Sequence, residues 1–218
     1  MSEIKKVNVN GLNNFDIVYF INLDIRADRY LRITDELQKT NIIQSKINKV
    51  SGHYYPEFGA LGCTLSHIDA LKKFIDTDET IQTCIILEDD FVFTQEQNII
   101  NDTINMFFNE VDEWDVLSLS LNMLQHEDTD KKYLVKVIDG QTTSGYCVHK
   151  RFAKILLDNY EESKIMLEQS GYYKYDCSID IHMKKLQPMN KWYCLNPKIG
   201  EQCESYSDIE KRIVKYNC

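Results

Sequence analysis

The chain predicts an α/β fold, a single domain built on a mainly parallel central sheet, and three observations carry that expectation. Continuous apolar runs with branched and aromatic residues, DIVYFINL (16–23) and TCIIL (83–87), read as buried strands. Segments of helical periodicity separate such runs, and strands joined through helices run parallel with helices on both faces of the sheet. A length of 218 residues, 43% of them hydrophobic, supports one sizeable core and is short for two ordinary domains.

The elements follow in order. After the first strand, ADRYLRITDELQKT is an amphipathic helix on which Tyr30, Ile33, Thr34 and Leu37 recur at helical spacing. SKINKVSG is a weak second strand. GCTLSHIDALKKFIDTD is a helix with Ile68, Leu71 and Ile75 on one side, and TCIIL is the next buried strand. NIINDTINMFFNEV is a helix with Ile100, Ile104, Phe107 and Val111 in phase, followed by the strand DVLSLS (115–120). Beyond it the pattern changes. YLVKVIDG and TSGYCVHK are two strands close in sequence, which adds antiparallel pieces to the sheet. A helix from Arg151 to Tyr160, a second from Ser178 to Leu186 and a short strand KWYCLN lead into a polar tail. The expected boundaries are a polar extension over 1–14, the domain over 15–210 and a tail over 211–218.

Composition narrows the function classes. A net charge of −9 argues against a general nucleic-acid binder, which needs a basic face to displace counterions. The seven cysteines, at 63, 84, 147, 177, 194, 203 and 218, form no CxxC pair, and their odd number suits a reducing compartment. The opening MSEIKKVNVNGLNN has no apolar core of a secretory signal, and no apolar run reaches the length of a membrane span. The expected location is cytoplasmic, with no transmembrane segment.

The stretch that points to chemistry is CIILEDDF (84–91), a buried strand that runs into Glu88, Asp89 and Asp90. Isolated carboxylates do not belong in a core. Either water covers them, as on an acidic surface turn, or a cation does. Ligands of an α/β sheet bind at the carboxyl ends of its strands. A bend there lets two carboxylates converge, and oxygen-only ligation with one or two carboxylates and substrate phosphates suits Mg²⁺ or Mn²⁺. Such a cation would neutralise a diphosphate leaving group. Arg26 and Arg29 follow the first strand, where a guanidinium suits a diphosphate, or else Arg26 and Arg29 lie on an exposed helical turn with Asp28 as partner. Asn22 at the strand end either bonds a nucleotide or forms a turn.

Four segments, VYFINLDIRADR, GCTLSHIDAL, CIILEDDF and TSGYCVHKRFAKILL, in this order resemble glycosyltransferase family 25, which includes lipooligosaccharide and collagen hydroxylysine galactosyltransferases. Ile179-Asp180 resembles the family's V-D step, and EQCESYSDI supplies Gln202, Ser207, Asp208 and Ile209 of its closing motif, so the resemblance spans about residues 16 to 209. It implies a GT-A-type fold and an inverting, metal-dependent transfer of a hexose, galactose or glucose, from a UDP-sugar to a hydroxyl acceptor, a saccharide or hydroxylated protein. The triplet takes the part of the D-x-D motif: Asp90 is the main Mn²⁺ (or Mg²⁺) ligand with Asp89 beside it, and Glu88 or Asp89 contacts the sugar or ribose. The resemblance also places Asn22, Arg26, Arg29, His67 and Gln202 at the donor and makes Asp180 the catalytic base. The stretch IRADR departs from the family's basic run, and the chain is short for the family, which puts its acceptor in doubt.

Other residues carry two readings. His67 is a satisfied core histidine or lies near the donor, with Ser66 beside it. Thr143, Ser144, Gly145 and Tyr146 resemble the family's pocket strand, where Gly145 permits close approach of a ligand or backbone. Asp176 and Asp180 are four apart and share a face if helical; His182 is a further candidate for the metal. Tyr172, Tyr173, Tyr175 and Trp192 either floor a sugar site or pack. Two other functions compete: an inactive relative acting as a binding module, which should have lost the carboxylates, and a phosphotransferase or phosphatase, for which no GxxxxGK[ST] or HExxH is present.

Overall fold

The structure is a computed structural model that describes residues 10–172, 174–207 and 212–214. Tyr173, Asp208, Ile209 and Cys218 of the sequence reading lie outside the described residues. The elements are β1 (Ile17–Asn22), α1 (Ala27–Lys39), β2 (Ile47–Ser51), α2 (Gly59–Ile75), β3 (Thr83–Glu88), β4 (Phe91–Phe93), α3 (Gln97–Glu110), β5 (Val116–Ser118), β6 (Asn122–Asp128), β7 (Leu134–Gln141), β8 (Gly145–His149), α4 (Lys150–Ser170), α5 (Ile179–His182), β9 (Trp192–Leu195), β10 (Gly200–Gln202), β11 (Ser205–Ser207) and β12 (Arg212–Val214).

The mainly parallel sheet expected from the sequence is present, in the order β2-β1-β3-β8-β5-β9-β7-β6. β1 pairs in parallel with β2 and β3, and β5 with β9, while β8 and β7 run the other way. β8 is wedged antiparallel between β3 and β5, so its first residues meet the carboxyl ends of both. Two small ribbons, β4 with β10 and β11 with β12, lie outside the main sheet.

Alternation along the strands divides the core into two layers. Tyr19, Ile21, Cys84, Ile86, Tyr146 and Val148 face the layer with α2 and α4. Val18, Phe20, Ile85, Leu87 and Cys147 face the layer with α1 and α3. Gln187 is fully buried and clamps β7, its amide accepting from Gly140 N–H and donating to Gly140 C=O, both at 2.8 Å. No helix among the described residues is long and apolar enough to cross a membrane.

Three differences from the expected elements have physical reasons. On α1 the buried residues are Arg29, Ile33, Glu36 and Leu37, and Tyr30 is exposed, because polar partners draw Arg29 and Glu36 inward. Glu36 accepts the Phe93 N–H at 3.0 Å and so docks β4 on the helix. α4 runs past Tyr160 to Ser170, burying Ser163 and Leu167 and ending at Gly171 with φ 66°, a left-handed cap that glycine adopts without a Cβ penalty. β6 was not expected at all: it is an edge strand with mostly exposed side chains, so no apolar alternation marks it.

Candidate active site

The carboxylate triplet sits where β3 ends. Glu88 is its last residue, Asp89 and Asp90 make the turn, and Phe91 opens β4. The turn is pinned from two sides: Glu88 N–H donates to Ser144 C=O and Asp90 C=O accepts from Cys203 N–H, each at 2.8 Å. Phe91 is fully buried against Gly145 and Gly200, where a Cβ on either glycine would overlap its ring. Gly145 thus makes room for the protein's own phenyl ring, not for a ligand.

The parallel pairing of β1 with β3 puts Asn22 and the start of α1 beside this turn. Asp89 and Asp90 are buried at 6% and 4% exposure, yet both are compensated. Arg29 Nη1 lies 2.8 Å from Asp89 Oδ1 and 3.3 Å from Asp90 Oδ2. Asn22 Nδ2 donates to Asp89 Oδ2 at 2.8 Å, and Gln202 Nε2 donates to Asp90 Oδ2 at 3.0 Å. Asp90 Oδ1 is buried with no hydrogen-bond donor among the described residues. Burial, then the charge of Glu88, pushes the Asp90 carboxyl up to about 7. Burial also raises Asp89, although Arg29 and Asn22 oppose it.

Glu88 behaves differently. Burial raises its pKa, but His67, Thr143 and Arg29 together outweigh that, and the net shift is downward. Its Oε1 accepts from Thr143 Oγ1 at 2.8 Å and faces His67 Nε2 at 3.3 Å. His67, on α2, is 1% exposed, and its Nδ1 lies 3.0 Å from Tyr146 Oη on β8. Thr143 follows Thr142, whose φ of 106° is a costly conformation for a β-branched residue. Ser144 is buried against the Ser120 hydroxyl. Ser66 donates to Gly62 C=O and accepts from His53 N–H at 2.9 Å, so it holds the loop before α2.

Asp180 lies in the first turn of α5, half-buried, and near enough to Glu88 to feel its charge; burial first and Glu88 second raise its pKa. The shared helical face with Asp176 does not form. Ser178 is extended (φ −68°, ψ 147°) and ends the short 3-10 turn Tyr175–Cys177, leaving Asp176 exposed on the other side of the break. His182 contacts Glu162 at 3.2 Å and Lys185 at 3.1 Å. Trp192 is core, 1% exposed with its indole N–H on Ser118 Oγ at 3.0 Å, while Tyr172 and Tyr175 are exposed. Arg26 pairs through two bonds with Asp28, at 3.0 and 2.9 Å. The sequence reading passed over Cys63, one helical turn before His67, a spacing that puts both on one face of α2.

Comparison with known proteins bears on the family and the fold. The sequence profile described as glycosyltransferase family 25 (LPS biosynthesis protein) matches residues 15–179. A glycosyltransferase involved in the glycosylation of the major capsid of PBCV-1 has a similar structure (TM-score 0.54, 10% identity, 89% of this chain and 96% of that one). A197 from STIV aligns at TM-score 0.44 and 12% identity, over 94% of this chain and 96% of that one. No curated protein matches the chain. At 10% identity the capsid enzyme speaks for the fold alone, which is of the GT-A type. With three quarters of its length matched by the family profile, the chain belongs to glycosyltransferase family 25 and is a glycosyltransferase.

Proposed function

We propose that the enzyme moves a hexose, galactose or glucose, from a UDP-sugar to a hydroxyl of a saccharide or hydroxylated protein, with inversion and with the help of Mn²⁺ or Mg²⁺. The observation that carries this reading is the convergence of Asn22, Arg29, Glu88, Asp89, Asp90 and Gln202 on one sheet edge with a buried Asp90 oxygen left over. That oxygen fits a hard cation: it is a carboxylate in a water-poor place with no donor to satisfy it. Asp90 would hold the ion. Each oxygen of Asp89 already accepts one bond, from Arg29 and from Asn22, which leaves a lone pair on each for the ion. A bound cation supplies charge neutralisation at the diphosphate leaving group.

The rest is done by the chain itself. Arg26 and Arg29 form the positive side of the donor site, and Asn22 and Gln202 hold the carboxylates in register. Glu88, fixed by Thr143 and His67, contacts the sugar. Asp180 takes the proton of the acceptor hydroxyl as that oxygen attacks the anomeric carbon. The bond from carbon to the phosphate oxygen breaks on the opposite face, its electron pair leaves with UDP, and the anomeric centre inverts. A carboxylate raised by burial and by Glu88 is a stronger base than one in water.

Calorimetric titration of UDP with and without Mn²⁺, on the natural chain and on Asp90→Asn, tests the reading. The expected result is UDP binding that needs Mn²⁺ and is lost in the variant. Absence of UDP binding in both conditions would remove the donor from the proposal.

A further inference from the structure

Next to the proposed donor site, and sharing Glu88 with it, lies a set of ligands of different chemistry. Cys63, His67 and Glu88 each offer one ligand atom, and these atoms lie within 4.8 Å of one another. Cys63 and His67 stand one turn apart on α2, and the carboxylate comes from the end of β3. This combination differs from the Asp90 oxygen. Thiolate and imidazole select soft or borderline cations, whereas Mn²⁺ and Mg²⁺ select oxygen.

We propose that Cys63 Sγ, His67 Nε2 and a Glu88 oxygen form a binding site for Zn²⁺ or a cation of similar softness, distinct from the hard-cation site at Asp90. Ligands of a tetrahedral zinc stand roughly 3.3–3.6 Å apart, given bonds of about 2.0–2.3 Å. His67 Nε2 and Glu88 Oε1 are already 3.3 Å apart. Closing the set needs a contraction of only about 1 Å from the outer limit of the cluster, a movement within reach of a thiol rotamer and a partly buried carboxylate.

The surroundings supply what a metal-bound histidine requires. Ligating imidazoles donate through their other nitrogen to a fixed acceptor, which sets the tautomer. His67 Nδ1 has such a partner in the Tyr146 hydroxyl at 3.0 Å, and Tyr146 in turn neighbours Tyr160 in the core. A hydroxyl accepts as well as donates, so Nδ1 can carry the ring proton and leave the Nε2 lone pair to the cation. Binding displaces the thiol proton of Cys63, which goes to the buffer. One thiolate and one carboxylate then balance the two positive charges. Glu88 keeps 23% of its side chain open to water, so a water could complete the coordination. Occupancy engages Glu88 and competes with its bond from Thr143, but the site itself does not depend on any reading of the sugar donor.

Cobalt(II) reports the site without reference to activity. Titration of the full chain with Co²⁺ should give a thiolate-to-cobalt charge-transfer band in the near ultraviolet, abolished by Zn²⁺. Cys63→Ser should lose the band while Cys203→Ser keeps it. Tyr146→Phe, which leaves all three donors in place, should weaken Co²⁺ binding by about 10–100-fold. Absence of the band in the folded natural chain, or a band that survives Cys63→Ser, would overturn the proposal. Because UDP plays no part in this titration, its failure would leave the donor-site reading standing, and the converse holds too.

Discussion

Arg29 and Asp89 meet inside the protein, with Nη1 2.8 Å from Oδ1 and both side chains at or below 10% exposure. The same nitrogen lies 3.3 Å from Asp90 Oδ2, so one guanidinium faces two buried carboxyl groups. Removing one partner of a buried pair leaves an uncompensated charge and costs about 3–5 kcal/mol. Arg29→Met, which keeps most of the apolar stem, should lose stability of that order in urea unfolding. A loss under about 1 kcal/mol would mean that water reaches the carboxylates freely.

Asp90 should imprint a pH dependence on stability. Its carboxyl is raised from 3.8 to about 7 by burial and by Glu88. Between those values the folded chain holds a proton that the unfolded chain has lost, so stability falls as pH rises through this window and levels off above it. Asp90→Asn removes the contribution. In chelator-treated protein the melting temperature of the variant, relative to the natural chain, should rise from acid pH to neutrality. A difference that is flat with pH would refute the raised carboxyl.

Asp180→Asn tests the proposed base. Loss of a general base costs about 10²–10⁴ in rate, and UDP affinity should stay unchanged if, as proposed, the residue serves the acceptor and not the donor. Burial and Glu88 raise Asp180, and only its deprotonated form accepts a proton. The natural enzyme should therefore lose kcat/KM on the acid side at a pH above the ordinary carboxylate range. A variant that retains most of its kcat would place the base elsewhere.

Gly145→Ala should destabilise by about 1–3 kcal/mol, because the added methyl overlaps the fully buried Phe91 ring. Phe91→Leu in the same chain should recover part of the loss, since it frees that volume. Additive losses in a double-mutant cycle would show that the two positions do not meet.

Gln187→Leu should cost about 1–3 kcal/mol for each Gly140 group left buried and unpaired. Denaturant unfolding reads it, and a loss under about 0.5 kcal/mol would mean that water already reaches the Gly140 groups.

Much of this was legible in the sequence. The strands that became β1 and β3 are buried on both faces, and an apolar run is their direct signature. Glu88, Asp89 and Asp90 stood out because a core strand led into them. What escaped notice depended on partners distant in sequence. Arg29 turned inward, displacing Tyr30 from the buried face of α1, because two carboxylates some 60 residues later wait for it. Gly145 reads in the sequence as room for a ligand or for backbone, and the Phe91 ring fills that room. β6 carries its polar residues as an edge strand does, and nothing in its periodicity separates it from a loop. The break at Ser178 hangs on one backbone torsion that no spacing rule reports.

The placement of β8 between β3 and β5 also bears on how the molecule is made. Synthesis proceeds from the N-terminus, and β5 emerges before both of its neighbours, β8 and β9. Until β8 has left the ribosome, β3 shows one open edge and β5 two, rows of unpaired backbone groups on strands that are mostly apolar. A nascent chain halted after residue 120 would hold the acidic triplet without Thr143 or Gln202 to fix it. Such a fragment is an aggregation hazard with its carboxylates unfixed, so the first half of this protein waits on its second half to fold.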